Sequence, residues 1–271
     1  MNGRIVNNMA NWKQRSAPYK PGQTAPYKIS RSKIELYMQC ARCFWLDLRL
    51  GIKRPNGPPF TINKAIDALL KKEFNSYRIK GKPHPIMIEF GVDAIPFQHE
   101  QLDTWRQTFV GVSALHKPTN LQIFGAVDDL WVSGSGDVMV VDYKATAKEK
   151  EVDISSDWQI SYKRQLEIYQ WLLRQVGLKV SDTGYFVYAN GRLDLDGFFD
   201  RIEFRTKIIP YHGDDSWIEP TLLRIKDCLE NDMPAVGLAA MGGTCDFCAY
   251  ARSRTELTLQ SVQSKQKSGS A

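Results

Sequence analysis

The chain has 271 residues, 43% of them apolar, enough for one substantial core or a core with a helical insertion. Its 36 Lys and Arg against 30 Asp and Glu leave a net charge of +6 and an isoelectric point near 9.0, a mild excess that suits a polyanionic partner without demonstrating one. No run of about 18 apolar residues is present, so no membrane partner is expected, and MNGRIVNNMANWKQ at the N-terminus lacks an apolar signal core, so a cytoplasmic protein is expected.

Residues 1–29 are polar, carry Pro18, Pro21 and Pro26, repeat APYK at 17–20 and 25–28, and read as a flexible arm. Ser32 to Glu35 is an S-x-x-E capping box that opens a helix. Ile34, Tyr37, Met38, Ala41, Trp45 and Leu48 give that helix one buried stripe, and Cys40 and Cys43 fall on one face of it. Pro55-Asn56-Gly57-Pro58-Pro59 breaks the chain, and FTINKAIDALLKKEFNSYR then predicts a second helix, which carries Asp67. Residues 83–97 form a short apolar run bounded by prolines, and Gln98–His116 is read as a further helix. His84, His99, His116 and His212 match no histidine-based site and read as surface or structural residues.

Leu121–Thr146 reads as two strands joined by the turn cluster Ser133-Gly134-Ser135-Gly136-Asp137. A hairpin centred on Ser135 sets Val132 opposite Val138 and Asp128 opposite Asp142. Side chains alternate along a strand, so Asp142 and Lys144 share a face and Tyr143 points the other way. Two carboxylates and an ammonium on one face suit a Mg²⁺ or Mn²⁺ ion, with Lys144 available to orient a water or to offset negative charge. A solvated Asp–Lys pair on a surface hairpin is the alternative. Lys148, Lys150, Lys163 and Arg164 make the following segment basic, either to hold a phosphate backbone or as a solvated face.

The helix expected over residues 157–176 carries Tyr162, Leu166, Tyr169, Leu173 and Val176 as its stripe, with Gln165 and Tyr169 one turn apart. A strand over 183–190 completes a right-handed parallel crossover, followed by a strand over 198–209 and a helix over 216–231. Gly242-Gly243-Thr244-Cys245-Asp246-Phe247-Cys248 is a C-x-x-C metal-ligand turn. With Cys40 and Cys43 it offers four thiolates, which suit either tetrahedral Zn²⁺ or a [4Fe–4S] cluster and would tie distant parts of the chain together. Cys228 reads as a free helix cysteine, and residues 258–271 as a disordered tail.

GAVDD, then VVDYKAT, then a helix bearing Gln165-Leu166-Glu167-Ile168-Tyr169 resemble the PD-(D/E)XK nuclease superfamily. Within it they are most similar to the RecB-type branch, which includes CRISPR-associated iron–sulfur exonucleases and AddB-like nuclease domains. The resemblance spans about residues 30–252. It implies an α/β restriction-endonuclease-like core, a mixed central β-sheet flanked by helices, with an N-terminal helical region and a C-terminal cysteine segment packed together. The nuclease domain would cover residues 30–257. The resemblance also implies catalytic roles for Asp128, Asp142, Lys144, Gln165 and Tyr169. It implies a Mg²⁺ or Mn²⁺ site built from Asp67, Asp128, Asp142 and the Tyr143 backbone carbonyl, Asp67 standing where the family commonly has histidine.

Cys40, Cys43, Cys245 and Cys248 would hold the [4Fe–4S] cluster, with Zn²⁺ as the alternative; the family's late third cysteine is Arg254 here, so Cys43 would supply the fourth ligand. The activity implied is exonucleolytic hydrolysis of DNA, with single-stranded or end character, in repair, recombination, or phage- or CRISPR-type processing alongside recombination or replication proteins. The rival readings are a catalytically inactive DNA-binding module of the same fold and a zinc-stapled protein-interaction domain.

Overall fold

The computed structural model describes residues 17–57, 61–237 and 243–268. Residues 1–16 of the expected arm, together with Pro58, Pro59, Phe60 and Gly242, lie outside the described residues. In chain order the elements are β1 (Tyr27–Ser30), α1 (Arg31–Gln39), α2 (Ala41–Leu50), α3 (Thr61–Lys80), α4 (Pro85–Glu89), β2 (Ile95–Pro96), α5 (Leu102–Trp105), β3 (Val112–His116), β4 (Leu121–Gly125), β5 (Asp129–Val132), β6 (Val138–Thr146), α6 (Ile160–Gln175), β7 (Thr183–Gly191), β8 (Phe204–His212), α7 (Ile218–Glu230) and α8 (Asp246–Ser268). No helix among the described residues is long and apolar enough to cross a membrane.

These elements divide between two compact units. One holds Ala25–Glu35 and Asn56–Lys226, the other the described residues of 1–24, 36–55 and 227–271. The first unit is mixed α/β, with two mixed sheets flanked by helices where one central mixed sheet was expected, and is consistent with a restriction-endonuclease-like core. Its smaller sheet has the order β1-β4-β3, with β1 parallel and β3 antiparallel to β4. Its larger sheet has the order β2-β5-β6-β7-β8. There β6 and β7 are parallel and joined through α6, the expected crossover, while the other neighbours are antiparallel.

The period of two along β6 decides what each face of the larger sheet meets. Val141 and Tyr143 pack with Phe74 of α3, Met87 of α4, Trp131, Val187 and Ile208 into one core cluster. The opposite face carries Val140, Asp142 and Lys144, and Leu166 of α6 closes on Val140's neighbour Gly184: a Cβ at Gly184 would stand 2.7 Å from Leu166 Cδ2 and 2.8 Å from the Val140 carbonyl oxygen. Burial of this sheet on both faces stabilises the unit through roughly 25 cal/mol per Å² of apolar surface removed from water.

Four local expectations are corrected. Tyr27–Ser30, expected within the flexible arm, is strand β1, because its alternation buries Ile29 completely while pairing with Leu121–Phe124. The span Leu121–Val132, expected as one strand, breaks at Ala126–Asp128, so that β4 and β5 belong to different sheets. The expected helix over 98–116 is reduced to the single turn α5. Gly111, at φ 62°, then turns the chain into β3, and any Cβ there would collide with the Gly125 carbonyl oxygen at 2.3 Å. Residues 258–268, expected as disordered, continue α8: they contain no Gly or Pro to stop it, and residues 258–264 are exposed.

In the second unit the single helix expected around Cys40 is two helices. Cys40 is extended (φ −167°, ψ 108°) and caps α2, its sulfur accepting the Cys43 N–H at 3.4 Å. Gly51, left-handed at φ 72°, ends α2.

Candidate active site

The hairpin register follows the expectation: Val132 pairs with Val138 and Asp129 with Val141. Asp128 is the next residue, at the bend before β5, and its Oδ2 accepts the backbone N–H of Tyr143 at 3.0 Å. It therefore lies beside β6 without being part of the ladder. Asp129 points to the opposite side and is fully buried. It pairs with the guanidiniums of Arg78 and Arg106, accepts the Tyr143 hydroxyl at 2.6 Å, and bonds the Leu130 N–H at 2.7 Å. Arg106 also donates through Nε to the Asp128 carbonyl at 3.0 Å. The two adjacent aspartates thus divide the work: Asp129 anchors the bend from beneath, and Asp128 presents its carboxylate above.

On the α6 side of β6, Asp142 is completely buried. Its Oδ1 accepts Gln165 Nε2 at 2.7 Å, and its Oδ2 is paired with the Lys144 ammonium. Burial pushes the Asp142 carboxyl up to about 7, with Lys144 pulling it down and the Asp128 charge pushing it further up. Burial also opposes the charge of Lys144, but Asp142 and Asp128 together hold its ammonium above the ordinary lysine value. Lys144 Nζ further sits 3.5 Å from Gln165 Oε1 and 4.4 Å above the centre of the Tyr162 ring. Gln165 completes the chain by donating to Tyr169 Oη at 3.3 Å. Burial raises the Tyr169 phenol, Asp128 and Asp142 add to the rise, and Arg31, which hydrogen-bonds it, opposes. The Tyr169 ring presses on β4 where only glycine fits: a Cβ at Gly125 would come within 2.6 Å of its Cε1.

Asp67 lies on α3, facing the same region. Lys71, one turn later, donates to Asp67 Oδ2 at 2.9 Å and to Asp128 Oδ1 at 3.4 Å, bridging the two carboxylates. Burial raises the Asp67 carboxyl, Lys71 opposes this, and Asp128 adds to it. Three carboxylates and two ammoniums therefore gather around β6. The carboxylates do not close into a ligand cluster: among the described residues, only the cysteine group brings three or more potential ligand atoms within 4.8 Å of one another. The buried Asp142 carboxylate, paired through Oδ2 with Lys144, and the half-buried Asp67 and Asp128 are oxygen donors of the kind Mg²⁺ and Mn²⁺ take. In donor chemistry these residues fit such an ion, with the three carboxylates not drawn to within 4.8 Å of one another.

Of the expected basic residues, Lys150 is exposed, Lys148 Nζ lies 5.2 Å over the Trp158 ring, and Lys163 Nζ lies 5.8 Å over the Tyr211 ring. Arg164 is buried and ion-paired with Glu35 at 3.3 Å, which withdraws its charge from the surface. The histidines are structural where buried: His84 caps α4, and His116 bonds Thr119 and Glu219. Sequence reasoning missed Arg31, Lys71, and the Arg78 and Arg106 pair. Only Lys71 left a local signal, at the i+4 position from Asp67.

In the second unit Cys40, Cys43, Cys245 and Cys248 converge, all buried. Sulfur separations are 3.7 Å for Cys40–Cys248, 3.7 Å for Cys43–Cys245 and 3.6 Å for Cys43–Cys248. Arg54 Nη2 donates to Cys245 Sγ at 3.3 Å, and its guanidinium lies 4.6 Å over the Phe247 ring. Burial works against a Cys245 thiolate, but the Cys248 N–H, the neighbouring thiols and Arg54 bring it down to about 7. Cys228, partly buried, stands outside the group.

A model of the PD-(D/E)XK nuclease superfamily matches residues 61–253, well over half of the chain. Among solved structures, that of SSO0001 is similar over 76% of this chain and 78% of that one, at 17% identity and a TM-score of 0.36. No curated protein matches the sequence.

Proposed function

The chain belongs to the PD-(D/E)XK nuclease superfamily, and we propose that it is a metal-dependent deoxyribonuclease of the RecB-type branch that shortens DNA from its ends. The observation that supports this most is the organisation of β6. Asp142 and Lys144 form a buried pair held by Gln165, and Asp128 is bonded to the residue between them. A surface hairpin with incidental charges would not bury a carboxylate together with its ammonium, because desolvating both costs energy unless the pair has a task.

A Mg²⁺ or Mn²⁺ ion held by Asp67, Asp128, Asp142 and the Tyr143 carbonyl would supply an acidified water and a positive charge for the scissile phosphate. Lys144, kept charged by its two aspartates, donates to the attacking water or to a phosphate oxygen. Gln165 fixes Asp142 through Oδ1, so that Oδ2, beside Lys144, is the oxygen that would face the ion. Lys71 neutralises Asp67 and Asp128 and would have to give up both for them to hold an ion. Lys148, Lys150 and Lys163 follow the phosphate backbone as it enters. The preference for ends, and a setting in repair, recombination, or phage- or CRISPR-type processing, rest on the family resemblance of the Gln165/Tyr169 helix.

The test is cleavage of end-labelled single- and double-stranded DNA and of closed circular DNA, with Mn²⁺ or Mg²⁺, by the wild type and by Asp142→Ala and Lys144→Ala. Metal-dependent release from ends, absent in both variants and on circles, is the expected result. Binding without cleavage of any of these substrates would favour the inactive DNA-binding module instead.

A further inference from the structure

We propose that Cys40, Cys43, Cys245 and Cys248 hold one tetrahedral Zn²⁺ ion with four thiolates and no open position, rather than an iron–sulfur cluster. The argument begins with spacing. Thiolates placed tetrahedrally around one ion at about 2.3 Å stand roughly 3.8 Å from one another. Three sulfur pairs here are at 3.6–3.7 Å, and all four sulfurs fall within 4.8 Å. In a cubane each thiolate takes a different iron, and inorganic sulfide fills the space between the irons. Four cysteine sulfurs nearly touching leave no room for that core. They are also too far apart to be disulfides, whose sulfurs are bonded at about 2.05 Å.

The backbone repeats the same device twice. Cys40 caps α2, its sulfur accepts the N–H of Cys43 three residues on, and Cys43 lies in the first turn. Cys245 precedes α8, accepts the N–H of Cys248, and Cys248 lies in the first turn of that helix. Two C-x-x-C turns, each opening a helix, present two sulfurs apiece. A zinc tetrathiolate carries two net negative charges. The positive ends of α2 and α8 face it, and Arg54, bonded to Cys245, adds a full positive charge. Such a closed four-sulfur site is structural: it would tie segment 36–55 to segment 227–268 within the second unit and contribute its binding energy to folding. This inference stands apart from the nuclease reading, since none of its residues belongs to the acidic site.

The full-length protein is purified anaerobically from cells supplied with both iron and zinc. Its metal content, acid-labile sulfide and visible spectrum are then measured. About one zinc per chain, no sulfide and no visible absorbance are expected, and loading with Co²⁺ in place of zinc should give the intense ligand-field bands of tetrahedral cobalt thiolate. Cys228→Ser should retain the zinc, and Cys40→Ser should lose it. About four irons and four sulfides per chain, a chain free of metal, zinc that persists in Cys40→Ser, or cobalt bands of an octahedral site would each overturn the proposal.

Discussion

Lys144→Met should change how the stability of the metal-free protein depends on pH, and by an amount the structure bounds. The unfolded Asp142 carboxyl titrates near 3.8, and in the fold it titrates at about 7. Between those values the folded chain binds more protons, so the contribution of Asp142 to stability is fully present below pH 3.8 and is lost as pH rises through 7. Above 7 both states are ionised and the wild-type curve levels off. Lys144 is the chief group pulling the folded value down, against burial and Asp128. Without its ammonium the carboxyl titrates higher, and stability keeps falling past pH 7. Each unit is about 1.4 kcal/mol, so at pH 9 the extra loss in the variant is at most about 3 kcal/mol, shrinking to near zero by pH 6. Urea unfolding of both proteins in EDTA between pH 5.5 and 9 measures this. A constant difference between the two curves would show that Lys144 does not control the ionisation of Asp142. The charge coupling invoked for the site would then be wrong.

Asp129→Ala leaves Arg78 and Arg106 buried without their counter-charge, and should cost about 3–5 kcal/mol in urea unfolding; a loss under 1 kcal/mol would show that the network does not hold the bend. Lys71→Met removes the ammonium that bridges Asp67 and Asp128, and should tighten Mn²⁺ binding by about fivefold in calorimetry, the equivalent of about 1 kcal/mol; weaker binding would contradict the bridging role. Gly125→Ala sets a methyl 2.6 Å from Tyr169 Cε1 and should destabilise the protein by about 1–3 kcal/mol, whereas an unchanged urea midpoint would mean that the ring yields freely.

The features legible in the sequence are those whose cause is local. The Ser133–Asp137 turn cluster and strict alternation were enough to set the β5–β6 register, because a slip of one residue would turn Asp142 and Val140 away from α6. The parallel crossover through α6 was legible from a helix of regular stripe between two apolar strands. Where the expectation failed, the deciding contact was distant. Nothing near residue 111 announces a strand; the chain turns there because Gly111 must pass close to Gly125, and that approach depends on the packing of the smaller sheet. In the second unit the periodicity over Ile34–Leu48 runs unbroken, yet the chain breaks at Cys40, because an extended cap lets its sulfur accept the Cys43 N–H and join the other three thiols.

The same distinction explains why the doublet Asp128-Asp129 was only half understood. A sequence reader sees two carboxylates and assigns the one that matches a motif. The other is paired with Arg78 and Arg106, 51 and 23 residues away, and no spacing rule reaches that far. Yet the pairing is what makes the first aspartate usable. Successive side chains at a strand's start point to opposite sides, so fixing Asp129 inside the core turns Asp128 outward. The Arg106 bond to the Asp128 carbonyl then holds the peptide between them. The position of one site carboxylate therefore follows from the burial of its neighbour. A variant such as Asp129→Asn is expected to disturb the site through geometry while leaving Asp128, Asp142 and Lys144 chemically intact.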